Sequence, residues 1–297
     1  MNATHKLGAV NSINFARILA QIVYYFHSYF TLAKTNPSFS VGDKVRFVVP
    51  TGNFGDVLAG YFAHRMGLPV EKFVVATNEN DILDRFFKTG RYEKKATADP
   101  ADAAVKETLS PAMDILVSSN FERLLWFLAY EFAELAGMDD EWNKKQAGQE
   151  VKQWLGDLKT KGGFGPVYQD MIRSARRNFE SERVSDEQTV GTIKAYYNGQ
   201  GYVLDPHSAV GVNAAERSAE KNAASPHISL STAHPAKFAG AVELALKGEE
   251  GFSFETKVLP AELRGIEERE RRVREVEGGW EAVREVVRAQ VAEEIGA

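Results

Sequence analysis

The sequence contains no cysteine. That excludes disulfide frameworks, thiolate zinc sites and cysteine nucleophiles. It also lacks a basic excess: 36 Lys and Arg stand against 41 Asp and Glu, a formal net charge of −5. A general nucleic-acid binder needs a cationic face, so no nucleic-acid partner is expected. No apolar run reaches the length of a bilayer span, so no membrane partner is expected either. Met1 to Lys6 lead into no signal-peptide core, because the run Ile22 to Phe26 fits an amphipathic helix better, and a cytoplasmic protein is expected. The six histidines are scattered without ligand spacing, which leaves no case for a metal. Internal repeats and low-complexity tracts are absent. What remains is 297 residues, 44% of them hydrophobic, enough for one large core or two small ones.

The most informative stretch runs from Val45 to Asp56. A short β-rich run, Val45 to Val49, ends in Pro50-Thr51-Gly52, and a helical pattern follows at once, with Val57, Leu58, Tyr61, Phe62 and Met66 on one face. Gly67 and Pro69 stop that helix, and Phe73 to Thr77 supply a second strand, closing a βαβ unit. The loop Gly52-Asn53-Phe54-Gly55 is G-x-x-G, which matches neither the dinucleotide fingerprint nor the Walker A loop. A glycine loop at a helix N-terminus offers backbone N–H groups at the positive end of a dipole, which suits a phosphate. A plain tight turn, with glycine there for conformation only, is the alternative.

Around this unit the pattern is helical. Asn14 is a plausible N-cap for a helix to Phe30 with Ile18, Leu19, Ile22, Val23 and Phe26 as its stripe. Asn11, Ser12 and Arg17 lie near its start, and spacing alone favours caps and an exposed arginine. Asn78 or Asn80, at the end of the second strand, could face a ligand, though a helix cap is the commoner role. Ile82 to Lys88 form a short helix closed by Gly90. Arg91 to Ser110 read as a surface loop, and Ala112 to Val117 as a strand. Ser119-x-x-Glu122 resembles a capping box before a helix ending near Leu135. A charged helical segment occupies Asp139 to Lys161, and another helix runs from about Tyr168 to Asn178. Ser185-x-x-Gln188 is a second capping box. Tyr202 to Leu204 read as a buried strand leading to Asp205-Pro206-His207. Sequence neighbours rarely face each other, so His207 is expected to hold that turn rather than to catalyse. Ile228 to Thr232 read as the last core strand, with Pro235 at a first helical position. Trp280, Val283, Val287 and Val291 mark a terminal helix.

Three separated segments give these residues a family context. Asn11-Ser12-Ile13-Asn14, Thr51-Gly52-Asn53-Phe54-Gly55-Asp56 and Ser231-Thr232-Ala233-His234-Pro235-Ala236-Lys237-Phe238 together resemble threonine synthase, with support from Ala76 to Asp81, Ala112 to Ile115 and Asp205 to His207. The resemblance implies an α/β fold of the tryptophan synthase β type: a mostly parallel sheet with helices on both faces. It implies pyridoxal 5'-phosphate as cofactor and a lyase-type reaction in threonine biosynthesis, from O-phospho-L-homoserine and water to L-threonine and phosphate. It assigns Gly52, Asn53, Phe54, Gly55 and Asp56 to the cofactor phosphate, Thr232 to the pyridine nitrogen, and Asn11, Ser12 and Arg17 to the substrate phosphate. A carboxylate repels a phosphate, so Asp56 is expected to bond backbone N–H groups instead.

The family's Schiff-base lysine has no counterpart here; Lys6, Lys34, Lys88 and Lys237 stand in other settings. The chain is therefore expected to be the C-terminal part of such an enzyme, with no catalytic residue of its own, inactive alone and prone to self-association. An incomplete gene, a processed fragment and a degenerate relative all fit. The expected organisation is a cofactor domain over 1–259, with a helical insertion at about 139–180, and a charged helical tail over 260–297. Oligomeric state is not legible. The alternative is a non-catalytic phosphate or metabolite binder on the same scaffold.

Overall fold

The computed structural model describes residues 11–94, 105–271 and 273–295. It divides into a large unit, Ser12–Val258, and a small one holding Asn11 and the described residues from Leu259 onward.

The large unit opens on α1 (Phe15–Thr35), capped by Asn14, whose Oδ1 accepts from the Ala16 N–H at 3.0 Å. Its buried stripe is Ile18, Ile22, Tyr25 and Tyr29, while Leu19 and Val23, expected inside, are exposed. The tyrosines decide this rotation. Each buries a large ring and still satisfies its hydroxyl, Tyr29 on the Asp43 carbonyl at 2.9 Å and Tyr25 on Asp56 at 2.8 Å.

Next come β1 (Val45–Pro50), α2 (Gly55–Arg65), β2 (Val70–Thr77), α3 (Ile82–Thr89) and the short β3 (Tyr92–Glu93). Gly90 ends α3 in the left-handed region at φ 75°. Residues 95–104 of the expected surface loop lie outside the described residues. The strand expected over Ala112 to Val117 is instead a 3₁₀ turn, Pro111–Met113. Pro111 has no N–H for a ladder, and Asp114 bonds back to Thr108, curling the backbone. The chain continues through α4 (Phe121–Glu134), α5 (Asp140–Lys161), β4 (Gly163–Phe164), α6 (Gln169–Asn178), β5 (Phe179–Arg183) and α7 (Asp186–Gln200). Both bonds of the Ser185–Gln188 capping box are present. Residues 202–204 pair with no strand among the described residues, and Tyr202 is exposed. The unit ends with α8 (Pro206–Lys221), β6 (His227–Ser229), a 3₁₀ turn Pro235–Phe238, α9 (Ala239–Leu246) and α10 (Phe254–Lys257).

Four strands form one parallel sheet in the order β5-β2-β1-β6. Side chains alternate across it. Val45, Phe47, Val49, Phe73 and Val75 share one core with Tyr25, Tyr61 and Phe179. Val48, Val74 and Ala76 point to the other face and pack with Val210 and Ala214 of α8. Helices thus cover both faces. Buried Arg46 stitches three strands, pairing with Glu71 of β2 at 2.7 Å and Glu180 of β5 at 2.9 Å. The Arg46 bond, aided by Ser225 and Asn222, holds the Glu71 carboxyl down at about 2.

The small unit contains two 3₁₀ turns, Ala261–Leu263 and Ile266–Glu268, and α11 (Trp280–Ile295). Arg284 stacks over the Trp280 ring at 4.9 Å.

Candidate functional site

The sheet hydrogen bonds of β1 stop at Thr51, whose N–H donates to the Ala76 carbonyl at 2.8 Å and whose Oγ1 donates to the Val49 carbonyl at 2.6 Å. The helix ladder of α2 starts at Leu58, whose N–H donates to the Phe54 carbonyl at 3.0 Å. Between them the backbone N–H groups of Gly52, Asn53, Phe54, Gly55, Asp56 and Val57 meet no acceptor among the described residues. Every helix leaves its first N–H groups open, and a polar N-cap side chain usually takes one. Here the N-cap is Phe54, which has nothing to offer, and it adopts φ 65°, alone among described non-glycine residues in the positive-φ region. A left-handed residue leading into a helix gathers successive N–H groups into an anion-binding concavity, and the helix dipole adds positive potential.

The carbonyls of this loop, by contrast, are tied back. Ser118 Oγ donates to the Gly52 carbonyl at 2.7 Å, and the Asn120 N–H and Nδ2 donate to the Asn53 carbonyl at 3.0 and 3.1 Å. Ser119 Oγ donates to Asn53 Oδ1 at 3.1 Å. This clamp corrects the expected Ser119–Glu122 capping box: α4 starts at Phe121, its cap Asn120 makes no side-chain cap bond, and the Ser119 and Asn120 side chains serve the loop instead. Asn120 Nδ2 also donates to the Ser12 carbonyl at 2.8 Å, drawing the start of α1 against the loop.

The result is a hollow of about 190 Å³ whose lining includes Gly52 to Asp56, Ser12, Arg17, Gln21 and Ala112. Gly52 is required there by close approach: a Cβ would stand 2.7 Å from the Ala112 carbonyl oxygen and 3.3 Å from Met113 Cα. Arg17 forms no ion pair among the described residues. A guanidinium facing open N–H groups is a donor set for a phosphate.

Asp56 is the one acid in that lining, and its surroundings explain how it is tolerated. Oδ1 accepts from the Tyr24 hydroxyl at 2.6 Å and the Tyr25 hydroxyl at 2.8 Å, so the expected bonds to backbone N–H groups are replaced by two phenols from α1. Burial pushes the Asp56 carboxyl up against the opposing pull of those bonds. Burial and the neighbouring carboxylate also push both tyrosines above their usual range, which keeps them donors.

Asn11 falls in the small unit. Thr232 follows β6, at the same carboxyl edge of the sheet as Thr51, but it is exposed and absent from the lining of the hollow. Its N–H donates to Ser208 Oγ at 3.1 Å. Its neighbours Ser231, Ala233 and His234 line a wider cleft of about 740 Å³ with Tyr197 and Lys257. Asn78 and Asn80 do not cap α3, whose N-cap is Asp81: their Nδ2 groups donate to Asp114 Oδ1 at 2.7 and 3.0 Å and fix the segment behind Ala112. Sequence reasoning missed Gln21, Ala112, the Tyr24–Tyr25 pair and the clamp at Ser118 to Asn120. Only the run Ser118-Ser119-Asn120 carried a signal, a polar cluster too dense for one cap. Lys6 lies outside the described residues, and no described lysine lines the hollow.

A four-stranded parallel sheet, helices on both faces and an open-amide loop at the carboxyl end of a central strand define an α/β protein whose loop donors suit an anion. Comparison with known proteins is more specific. Residues 208–287 match the family model "Threonine synthase, C-terminal". Threonine synthase of Saccharomyces cerevisiae is 51% identical over 99% of this chain and 54% of its own length. The crystal structure of threonine synthase from yeast superposes with a TM-score of 0.85 at 50% identity, covering 100% of this chain and 55% of that one. A structure described as threonine synthase from Brucella melitensis with PLP bound gives a TM-score of 0.74 at 38% identity, covering 96% and 53%. The chain is thus a relative of threonine synthase, and it spans about half the length of the curated relatives it matches.

Proposed function

We propose that this chain supplies the phosphate-gripping part of a pyridoxal-phosphate lyase that converts O-phospho-L-homoserine and water to L-threonine and phosphate. The observation that carries this reading is the run of six open N–H groups from Gly52 to Val57 above a hollow shared with Arg17. The residues fit the cofactor's phosphate: the donors are backbone, their carbonyls are clamped away, and the nearby carboxylate is occupied by two tyrosines. When bound, the cofactor supplies an electron sink for carbanionic chemistry. This chain's own residues do the holding. Gly52 to Asp56 orient the cofactor's phosphate through backbone N–H groups, and Arg17 with Ser12 receives the substrate's phosphate. Thr232, in this reading, presents a neutral hydroxyl to the ring nitrogen from the same sheet edge.

No described lysine lines the hollow, so the covalent anchor and mobile base come from residues other than those described around it. That same observation favours the second reading, a non-catalytic phosphate binder on this scaffold. The two separate in one assay. The full chain is purified alone, and again after co-expression with the part of the Saccharomyces cerevisiae enzyme that it does not match. Phosphate release from O-phospho-L-homoserine is expected from the pair and from neither part alone. A stable pair that binds pyridoxal phosphate yet releases no phosphate would establish the binder reading instead.

A further inference from the structure

We propose that the first turn of α8, Asp205 to Ser208, is a two-armed bracket that positions the site, with His207 setting the rear wall of the phosphate hollow and Ser208 setting Thr232. The inference rests on the hollow being a phosphate site.

The His207 arm is defined by its hydrogen bonds. Its Nε2 stands 3.1 Å from the Ala112 backbone nitrogen. A backbone N–H can only donate, so Nε2 is the bare nitrogen and accepts. The proton then sits on Nδ1, which donates to Asp205 Oδ1 at 3.0 Å. The same Oδ1 accepts the N–H groups of His207 at 2.9 Å and Ser208 at 3.3 Å, capping α8. Burial would raise the Asp205 carboxyl, but the bonds from His207 and Ser208 outweigh it and hold it below its usual value. Both His207 and Asp205 are buried, and the His207 ring packs on Phe238 with centroids 4.6 Å apart. Ala112, gripped in this way, is the residue whose carbonyl meets the missing Cβ of Gly52. A shift of its backbone by a fraction of an ångström changes the depth of the hollow directly.

The second arm leaves the adjacent residue. Ser208 Oγ accepts the Thr232 N–H at 3.1 Å, and Ser208 is buried. One rigid turn therefore ties the wall facing the loop to the residue proposed to meet the ring nitrogen. These are the two ends between which a single cofactor would have to fit.

Two substitutions separate positioning from general support. His207→Asn keeps a donor for Asp205 but is too short to reach Ala112, whereas His207→Gln places an acceptor near the former Nε2. Amide hydrogen exchange is measured on the ligand-free full chain, and affinity is measured separately with pyridoxal phosphate. For H207N the Ala112 N–H is expected to exchange about tenfold faster with Thr232 unchanged, and pyridoxal phosphate to bind about tenfold more weakly, the loss of one hydrogen bond. H207Q is expected to restore both to within about threefold of the starting protein. Ser208→Ala is expected to show the mirror pattern, with Thr232 exposed and Ala112 protected. Unchanged Ala112 exchange in H207N would overturn the bracket, and so would faster exchange with full affinity. If H207N fails to fold, H207Q and S208A still decide: failure of S208A to expose Thr232 alone overturns the second arm. Absence of pyridoxal phosphate binding by the starting protein would refute the phosphate reading, whereas the exchange pattern judges the bracket independently.

Discussion

Replacing Gly52 by alanine is expected to weaken the binding of pyridoxal phosphate about a hundredfold, the equivalent of two charge-assisted hydrogen bonds. Gly52 is not in the positive-φ region, so the argument is one of space rather than backbone freedom. The added Cβ would stand 2.7 Å from the Ala112 carbonyl oxygen, a backbone atom that cannot rotate away. Ala112 is fixed by His207, and the loop is fixed by Ser118 on the Gly52 carbonyl. One of them must yield, and either movement misaligns the N–H groups. Overpacking of this kind costs about 1–3 kcal/mol. Gly55→Ala is the comparison: its Cβ would stand 3.3 Å from the Asn120 side-chain nitrogen, a milder crowding than the 2.7 Å backbone contact at Gly52, so a smaller loss is expected. Calorimetric titration of the three proteins checks this. Equal losses in G52A and G55A would contradict it.

The second large effect concerns Phe54. Its ring is buried, edge-on to Phe121 at a centroid distance of 5.1 Å and near Phe179 at 6.4 Å. Its backbone sits at φ 65°, a conformation that costs a non-glycine residue about 1–2 kcal/mol. The ring is what holds the strained turn in place. Phe54→Ala removes the ring and keeps the strain, and about 3–5 kcal/mol of stability should be lost. Phe54→Gly removes both, so it should be more stable than the alanine variant by about 1 kcal/mol, the reverse of the usual order in helices. Urea unfolding at equilibrium measures the ranking. If the glycine variant is the weaker of the two, the left-handed turn does not exist in solution.

The βαβ core was legible because its signals are local. Val45 to Val49, Val57 to Tyr61 and Phe73 to Thr77 change from one periodicity to another within a few residues, and Gly67 and Pro69 punctuate them. Both the Asn14 cap and the Ser185–Gln188 box were visible for the same reason. β5 was not. Phe179-Glu180-Ser181-Glu182-Arg183 has three charged residues in five, yet Glu180 and Glu182 are spent on Arg46, Lys72, Arg217 and Lys221, leaving Phe179 and Ser181 to face inward. Ion pairs between distant residues turned a charged stretch into a strand. The run Ala112 to Val117 failed in the opposite sense, since its apolar residues suggested a strand while Pro111 and Asp114 committed the backbone to a turn.

The site divides in the same way. A glycine loop between strand and helix can be read from twelve residues, but what makes it a grip is the removal of its carbonyls by Ser118 and Asn120, more than sixty positions away. The tolerance of Asp56 depends on Tyr24 and Tyr25, which local pattern treats only as apolar members of a helix. Spacing alone made Ser12 and Arg17 look like a cap and a surface charge. Only the family resemblance suggested their task, and the hollow brings both beside the loop while leaving Thr232 out of its lining.

Residue-resolved NMR of the full chain, titrated with pyridoxal phosphate and in parallel with pyridoxal, addresses the central claim most directly. The account predicts that the phosphate ester shifts the N–H resonances of Gly52 to Val57, and that pyridoxal leaves them in place. Equal responses to the two ligands, or shifts confined to residues outside that loop, would contradict it.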